Sequence, residues 1–297
     1  MTKLKSFFFA ASALTLVIIT ACSNAAQMPD AGTGGSAALP EAPFVEGGAS
    51  LILSPNKLDI TVKAVTSDGT PVTVEGCTET ELTSGTETVL HAQGTVVILK
   101  GKITALKVDD YYSSNSNKLT ALNVQGLTAL KELQCGGNQL TELNVQDCTV
   151  LQELICSSNQ LTALNVQGLT ALKELSCGNN QLTELNVQSL TALKELYCGS
   201  NQLTALNVQG LTALQGLYCY NNQLTAQAFT KLFNDLPVRA DSDNANCILY
   251  TEQTGVTEGN HTDFTAPPDL AAAFNNAKTV KKWKMYKRNG SWPGVEI

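Results

Sequence analysis

An α/β-type solenoid is the fold class this sequence predicts, and three observations predict it. A 21-residue unit recurs through the middle of the chain, marked by evenly spaced Asn117, Asn138, Asn159, Asn180, Asn201 and Asn222. A second column of the same period holds Cys135, Cys156, Cys177, Cys198 and Cys219. Each unit also carries leucines at fixed places, close to L-x-C-x-x-N-x-L-T-x-L-N-V-Q-x-L-T-x-L-x-E. A period in the twenties means stacked turns of chain, each burying its core against its neighbours.

The N-terminus precedes that body with a different chemistry. Lys3 and Lys5 lead an apolar run from Phe7 to Ile19, too short to span a bilayer comfortably. The run ends in Ile19-Thr20-Ala21-Cys22, which resembles a bacterial lipobox. Residues 1–21 read as a lipoprotein signal peptide and Cys22 as the lipidation site; a plain secretory signal cleaved after Ala21 is the alternative. Residues 22–50, rich in Ala, Gly, Ser and Pro, read as a flexible tether.

Residues 51–102 read as an N-terminal β cap. Leu58 to Val62 alternates, Ser67-Asp68-Gly69-Thr70 is a turn signal, and Pro71 to Val74 and Thr95 to Leu99 continue the strand pattern. A solenoid needs its open ends closed. The repeats run over 103–224, with strand segments centred on 107, 134, 155, 176, 197 and 218. The first repeat is irregular, with Val108 in the cysteine column and a long loop carrying Tyr111 and Tyr112.

Residues 225–297 read as a C-terminal α/β capping region. Thr225 precedes a helix with Phe229, Leu232, Phe233 and Leu236 on one face, ended by Pro237. A strand at 247–250, a second helix at 269–277 and a last strand at 283–287 follow, and the loop from Thr251 to Pro268 reads as long and mobile.

The cysteine column replaces leucine, so the thiols read as buried hydrophobes rather than disulfide or metal ligands. No CxxC pair exists, and the only histidines, His91 and His261, are beside no nucleophile. No metal, cofactor or catalytic residue is expected. Asp241 to Asn246 is read as a turn, because Ala245 falls where a calcium loop needs an oxygen ligand. The formal charge of −7 argues against nucleic acid as a partner.

Alternation within a strand places Leu154 and Cys156 inward and Glu153, Ile155 and Ser157 on an open face. The asparagines sit where the chain leaves the strand, and their amides can pair backbone groups between coils. On the open face, Glu153, Glu174 and Glu195 form an acidic ridge beside Lys131, Lys173 and Lys194, expected to pair across coils. Tyr197, Tyr218 and Tyr220 cluster near Gly216 as an aromatic contact patch, or else pack under the 251–268 loop. The basic run Lys281 to Arg288 reads as an edge strand with Trp283 and Met285 inward, or as a contact for acidic glycans or headgroups.

The stretch Leu151-Gln152-Glu153-Leu154-Ile155-Cys156-Ser157-Ser158-Asn159-Gln160-Leu161 resembles a leucine-rich repeat, and the cysteine column resembles the internalin J type of bacterial surface protein. The resemblance covers about residues 103–224. It implies a coil with a parallel β-sheet on its concave face, and a surface-attached binding protein, often an adhesin. No wall-sorting motif is visible, and the lipobox takes its place. The resulting expectation is a monomeric lipoprotein of the bacterial envelope, outer-membrane and surface-exposed, that binds a protein or glycan. The membrane is touched through the N-terminal lipid only. The candidate binding face is Tyr197, Tyr218, Tyr220, Glu195, Ile155, Glu153 and Glu174. An envelope assembly protein or periplasmic scaffold without a host ligand is the rival reading.

Overall fold

A computed structural model describes residues 41–108, 119–291 and 293–297. The signal segment, Cys22, most of the tether, Tyr111, Tyr112 and Asn117 lie outside the described residues. No described helix is long and apolar enough to cross a membrane.

The chain enters through β1 (Gly48–Leu53), β2 (Asp59–Thr66), β3 (Val72–Glu75), β4 (Glu81–Leu82), β5 (Glu87–His91) and β6 (Val96–Lys100). Next come β7 (Ile103–Lys107) and β8 (Leu119–Asn123). The short strands β9 (Glu132–Gln134), β10 (Glu153–Ile155), β11 (Glu174–Ser176), β12 (Glu195–Tyr197) and β13 (Gly216–Tyr218) then repeat one pattern. The chain closes with α1 (Ala226–Asp235), β14 (Asn246–Thr251), α2 (Pro268–Thr279), β15 (Lys284–Arg288) and β16 (Val295–Glu296).

Two sheets are built from these strands. One runs β4-β3-β6-β1-β8, and the other β16-β15-β14-β13-β12-β11-β10-β9-β7-β2-β5. From β7 to β15 the long sheet is parallel, and the repeat register aligns Glu132, Glu153, Glu174, Glu195 and Gly216 side by side. β2 joins β7 antiparallel, so the N-terminal strands and the repeats share one sheet. The repeated short strands build one long parallel sheet, a solenoid in which each coil lies on the next.

Alternation along each strand drives the core. Leu106, Leu133, Leu154, Leu175, Leu196 and Leu217 stack inward, and Cys247 and Met285 continue their column. Val108, the five ladder cysteines and Leu249 form a second buried column. All eight described cysteines are free thiols. Burial without a charged partner disfavours the thiolate; it pushes the Cys177 thiol up to about 12. Cys219 is raised as well, first through a hydrogen bond with the Cys247 thiol and then through burial.

The asparagine column closes each turn. Asn159 donates to the carbonyls of Cys135 and Cys156, both at 3.0 Å, and accepts from Leu140 N–H at 3.0 Å. Asn138, Asn180, Asn201 and Asn222 repeat this arrangement. Each amide therefore satisfies backbone groups of its own coil and the one before, as a buried turn requires. The residue just before each of these asparagines has positive φ (Gly137, Ser158, Asn179, Ser200, Asn221), the left-handed step that turns the chain off the sheet.

Two expectations at the ends need correction. Packing begins before residue 50: Ala42 and Val45 are buried, β1 starts at Gly48, and Asn123 donates to the Ala42 carbonyl at 3.1 Å. Small side chains that looked too poor to pack fit where the coil surface is itself small. The Thr251–Pro268 loop is also tied down. The Glu258 carboxylate accepts from the backbone N–H of Asn221, Thr251 and Asn260, and Asn260 donates to the carbonyls of Cys219 and Leu249.

The C-terminal elements follow the sequence pattern closely. Thr225 caps α1 by accepting from Ala228 N–H, and Phe229, Leu232 and Phe233 are buried. Phe264, Phe274 and Tyr250 pack around the same rings. Asp241 to Asp243 form a short 3-10 turn with Asn244 left-handed.

Candidate functional site: the open face of the parallel sheet

Residues that alternate with the buried columns form rows on the open side of the sheet across β9 to β15, two of which the register traces from strand to strand. The first row is Glu132, Glu153, Glu174, Glu195, Gly216, Asn246 and Lys284. The middle row is Gln134, Ile155, Ser176, Tyr197, Tyr218, Ile248 and Tyr286. Asn246 and Tyr286 were missed as members of this face, because insertions before β14 and β15 remove the fixed spacing that marks the others.

The acidic ridge is not an ion-pair ladder. Among the described residues no ion pair joins a ridge glutamate to Lys131, Lys173 or Lys194. Lys173 instead donates to Gln152 at 2.9 Å, and Gln134 donates to Glu153 at 2.6 Å. The lysines precede the strands, and the glutamates share one row whose backbones lie at the strand spacing, about 4.8 Å. Burial, then the charge of Glu153, raises the Glu174 carboxyl above the ordinary range. Burial also raises Glu195, against hydrogen bonds from Tyr218 and Tyr197.

Gly216 explains where the Glu195 carboxylate goes. A side chain at Gly216 would collide with it, and the Glu195 Oε2 atom lies buried in that notch without a hydrogen-bond partner. Gly216 thus clears room for the neighbouring carboxylate rather than for a ligand.

The three tyrosines differ from one another. Tyr197 and Tyr218 stack with centroids 4.2 Å apart and planes within 2°. Tyr218 is only 5% exposed, which corrects its reading as an exposed ring. It lines a cleft of about 250 Å³ with Asn244, Asn246, Lys284, Tyr286 and Pro293. Tyr220 lies over Gly199 and is covered by the Arg288 guanidinium, 4.8 Å from the ring centroid. Ile155 is half-buried beside Ser176, and Ser157 and Ser176 share a 2.7 Å hydrogen bond.

The basic run is largely occupied. Lys281 donates to the carbonyls of Phe233, Asn234 and Leu236, closing the end of α1. Lys287 pairs with Glu252, and Trp283 Nε1 donates to the Pro237 carbonyl at 2.8 Å. β15 is flanked by β14 and β16, so it is not the edge strand the sequence suggested. Among the described residues no cluster of His, Cys, Asp or Glu is arranged to hold a metal ion.

The raised carboxyls predict a pH dependence. A folded-state pKa above the unfolded one means the folded protein holds the proton more tightly, so stability rises as pH falls through the folded value. Glu79, lowered to about 2 by hydrogen bonds from His91, acts in the opposite sense: it stabilises above the unfolded value, and that stability is lost as pH falls. The Glu195→Gln variant isolates the ridge. Its melting temperature minus that of the wild type should be positive at pH 7 and shrink as pH falls below the folded value of Glu195. A difference independent of pH would show that this carboxyl titrates normally.

No family model and no curated protein matches this chain. Among solved structures, the functional domain of InlJ from Listeria monocytogenes, described as including a cysteine ladder, matches at 28% identity. That match covers 50% of this chain and 40% of InlJ's, with a TM-score of 0.35. A leucine-rich-repeat protein of Leptospira interrogans matches at 25% identity over 56% of this chain and 39% of that one, with a TM-score of 0.41. The Listeria internalin InlF matches at 19% identity over 63% and 49%, with a TM-score of 0.44. Less than half of each of those chains is covered. The chain is similar to internalin-like leucine-rich-repeat proteins.

Proposed function

We propose that this chain is a bacterial cell-surface lipoprotein that binds a protein or glycan through the open face of its sheet, without enzymatic chemistry. The observation that carries this reading is the stacked Tyr197–Tyr218 pair beside a row of glutamates that no lysine neutralises. A long parallel sheet offers a broad surface, and rigid aromatics give contact area at little entropic cost. In this reading 21-residue coils over 103–224 carry the site, the flanking strands and helices close the two ends, and Cys22 bears the lipid.

The test separates the parts. The folded domain, screened against immobilised glycans and extracellular-matrix proteins, should show saturable binding. Tyr197→Ala should weaken any such binding at least tenfold, since a few central aromatics usually dominate an interface. Tyr218→Ala is the wrong probe, because a buried ring reports stability as well. Normal binding by a folded Tyr197→Ala variant would move the site elsewhere. Protease treatment of intact cells should remove the domain, and Cys22→Ala should shift the protein from the detergent phase to the aqueous phase. Full protection from protease would favour a periplasmic scaffold.

A further inference from the structure

Away from the open sheet, the Leu-Thr-x-Leu-Asn-Val-Gln segments line up along another face of the solenoid. Their sequence alternates between two forms. Ala121 to Gly126, Ala163 to Gly168 and Ala205 to Gly210 all read Ala-Leu-Asn-Val-Gln-Gly. The intervening coils have Glu142 with Asp147 and Glu184 with Ser189 at the first and last places. The alanine form therefore returns every second coil.

The first of these segments is occupied by the chain itself. Ala42 packs against Ala121 and Ile52. Asn123 Nδ2 donates to the Ala42 carbonyl at 3.1 Å, while its Oδ1 accepts from Gln125 N–H at 3.0 Å. Val45 crosses over Gly126, where any side chain would collide with the Val45 carbonyl oxygen. Alanine, asparagine and glycine thus each admit one part of an extended backbone: a small floor, an amide donor and an open crossing.

The second and third segments carry the same alanine, asparagine and glycine uncovered, with Gly168 and Gly210 at positive φ (83° and 85°) where Gly126 is not. Asn165 and Asn207 use Oδ1 in the same turn, accepting from Gln167 and Gln209, so their amides are held as in Asn123. Among the described residues neither Nδ2 meets an acceptor. Ala163 and Ala205 are exposed, and nothing lies within 4 Å of a side chain built at Gly168 or Gly210. A cleft of about 350 Å³ runs from Glu41 and Ala42 to Ala163 and Asn165, and one of about 530 Å³ continues from there to Ala205 and Asn207. The surface is continuous with the one already used.

We propose that Ala163–Gly168 and Ala205–Gly210 are docking sites for an extended segment of a partner polypeptide with the pattern small–Pro–x–aliphatic, its small residue and carbonyl seated as those of Ala42 are on Ala121 and Asn123. The asparagine amide takes a backbone carbonyl, and the alanine and glycine leave room for the chain, so recognition rests on backbone shape and small side chains. Glu142 and Glu184 line the same clefts, and a glutamate in place of the alanine removes the small floor, which spaces the two sites two coils apart.

A capped heptapeptide with the sequence of residues 41–47 is the probe, titrated into the ¹⁵N-labelled full chain. Saturable shifts are expected at the Asn165 and Asn207 side-chain amides and at the Gly168 and Gly210 backbone amides. The Ala163→Glu/Ala205→Glu variant carries residues that neighbouring coils already hold at those places, so it keeps the fold, which its melting curve verifies. It should bind the peptide at least tenfold more weakly. No saturable shift in the wild type, shifts confined to the open sheet, or unchanged affinity in the folded variant would each overturn the proposal.

Discussion

The Asn201→Ala variant should be among the least stable single substitutions in the repeats. Its side chain accepts from Leu182 N–H at 3.0 Å and donates to the carbonyls of Cys177 and Cys198 at 3.1 Å. All three partners are backbone groups at a buried turn, and alanine leaves them without replacement. A buried polar group stripped of its partner costs roughly 1–3 kcal/mol, so a loss of about 3 kcal/mol or more is expected. Asn180→Ala makes a useful comparison, because Asn180 has the equivalent partners one coil earlier (Leu161 N–H and the carbonyls of Cys156 and Cys177) but is only half-buried. Water can reach its partners, and the cost should be smaller. Urea unfolding of both variants decides the matter; equal and small losses would mean that the coils relax to re-pair their own backbone.

Glu258→Ala should loosen the C-terminal third of the molecule by a comparable amount. Along the repeats, the left-handed residue of each turn donates to a carbonyl of the next coil, as Asn179 does to Gly199 and Ser200 to Tyr220. At Asn221 that acceptor is the Glu258 carboxylate, at 2.9 Å. Glu258 also accepts from Thr251 and Asn260, and Asn260 then fills the place of the next ladder asparagine, taking the N–H of Leu224 at 2.8 Å. One carboxylate thus replaces a coil's worth of backbone acceptors. Hydrogen bonds to a charged group contribute about 1.5–3 kcal/mol each. Glu258→Ala should lower stability by roughly 3 kcal/mol and speed amide exchange at Asn221, Leu224 and Asn260. Unchanged exchange there would show that the loop is held by its other contacts.

These two residues mark the boundary of what the sequence makes readable. Asn201 is legible because a solenoid repeats its environment. An interior asparagine at a fixed distance from a cysteine and a leucine must face the same backbone groups in every coil. The inward columns and the free buried thiols follow from the same periodicity, and the face of α1 and its Thr225 cap follow from the helix's own period and capping chemistry. Asn260 and Glu258 are illegible for the opposite reason. The loop before them is eight residues longer than in a regular coil, so their role depends on where the chain returns in space.

The open face of the sheet divides in the same way. Strand alternation by itself determined which side chains share the open face, and so placed Glu153, Glu174, Glu195, Ile155 and the tyrosines together. It could not say that the glutamates lack lysine partners, that Gly216 houses the Glu195 carboxylate, or that Tyr218 is covered. Exposure and pairing are set by side-chain direction and by what the adjacent coils place beside each residue. Only the tertiary structure showed Arg288 over Tyr220, Lys281 closing α1, and residues 42–48 folded back on the first coil. Those contacts join segments dozens of residues apart, and no local period encodes them.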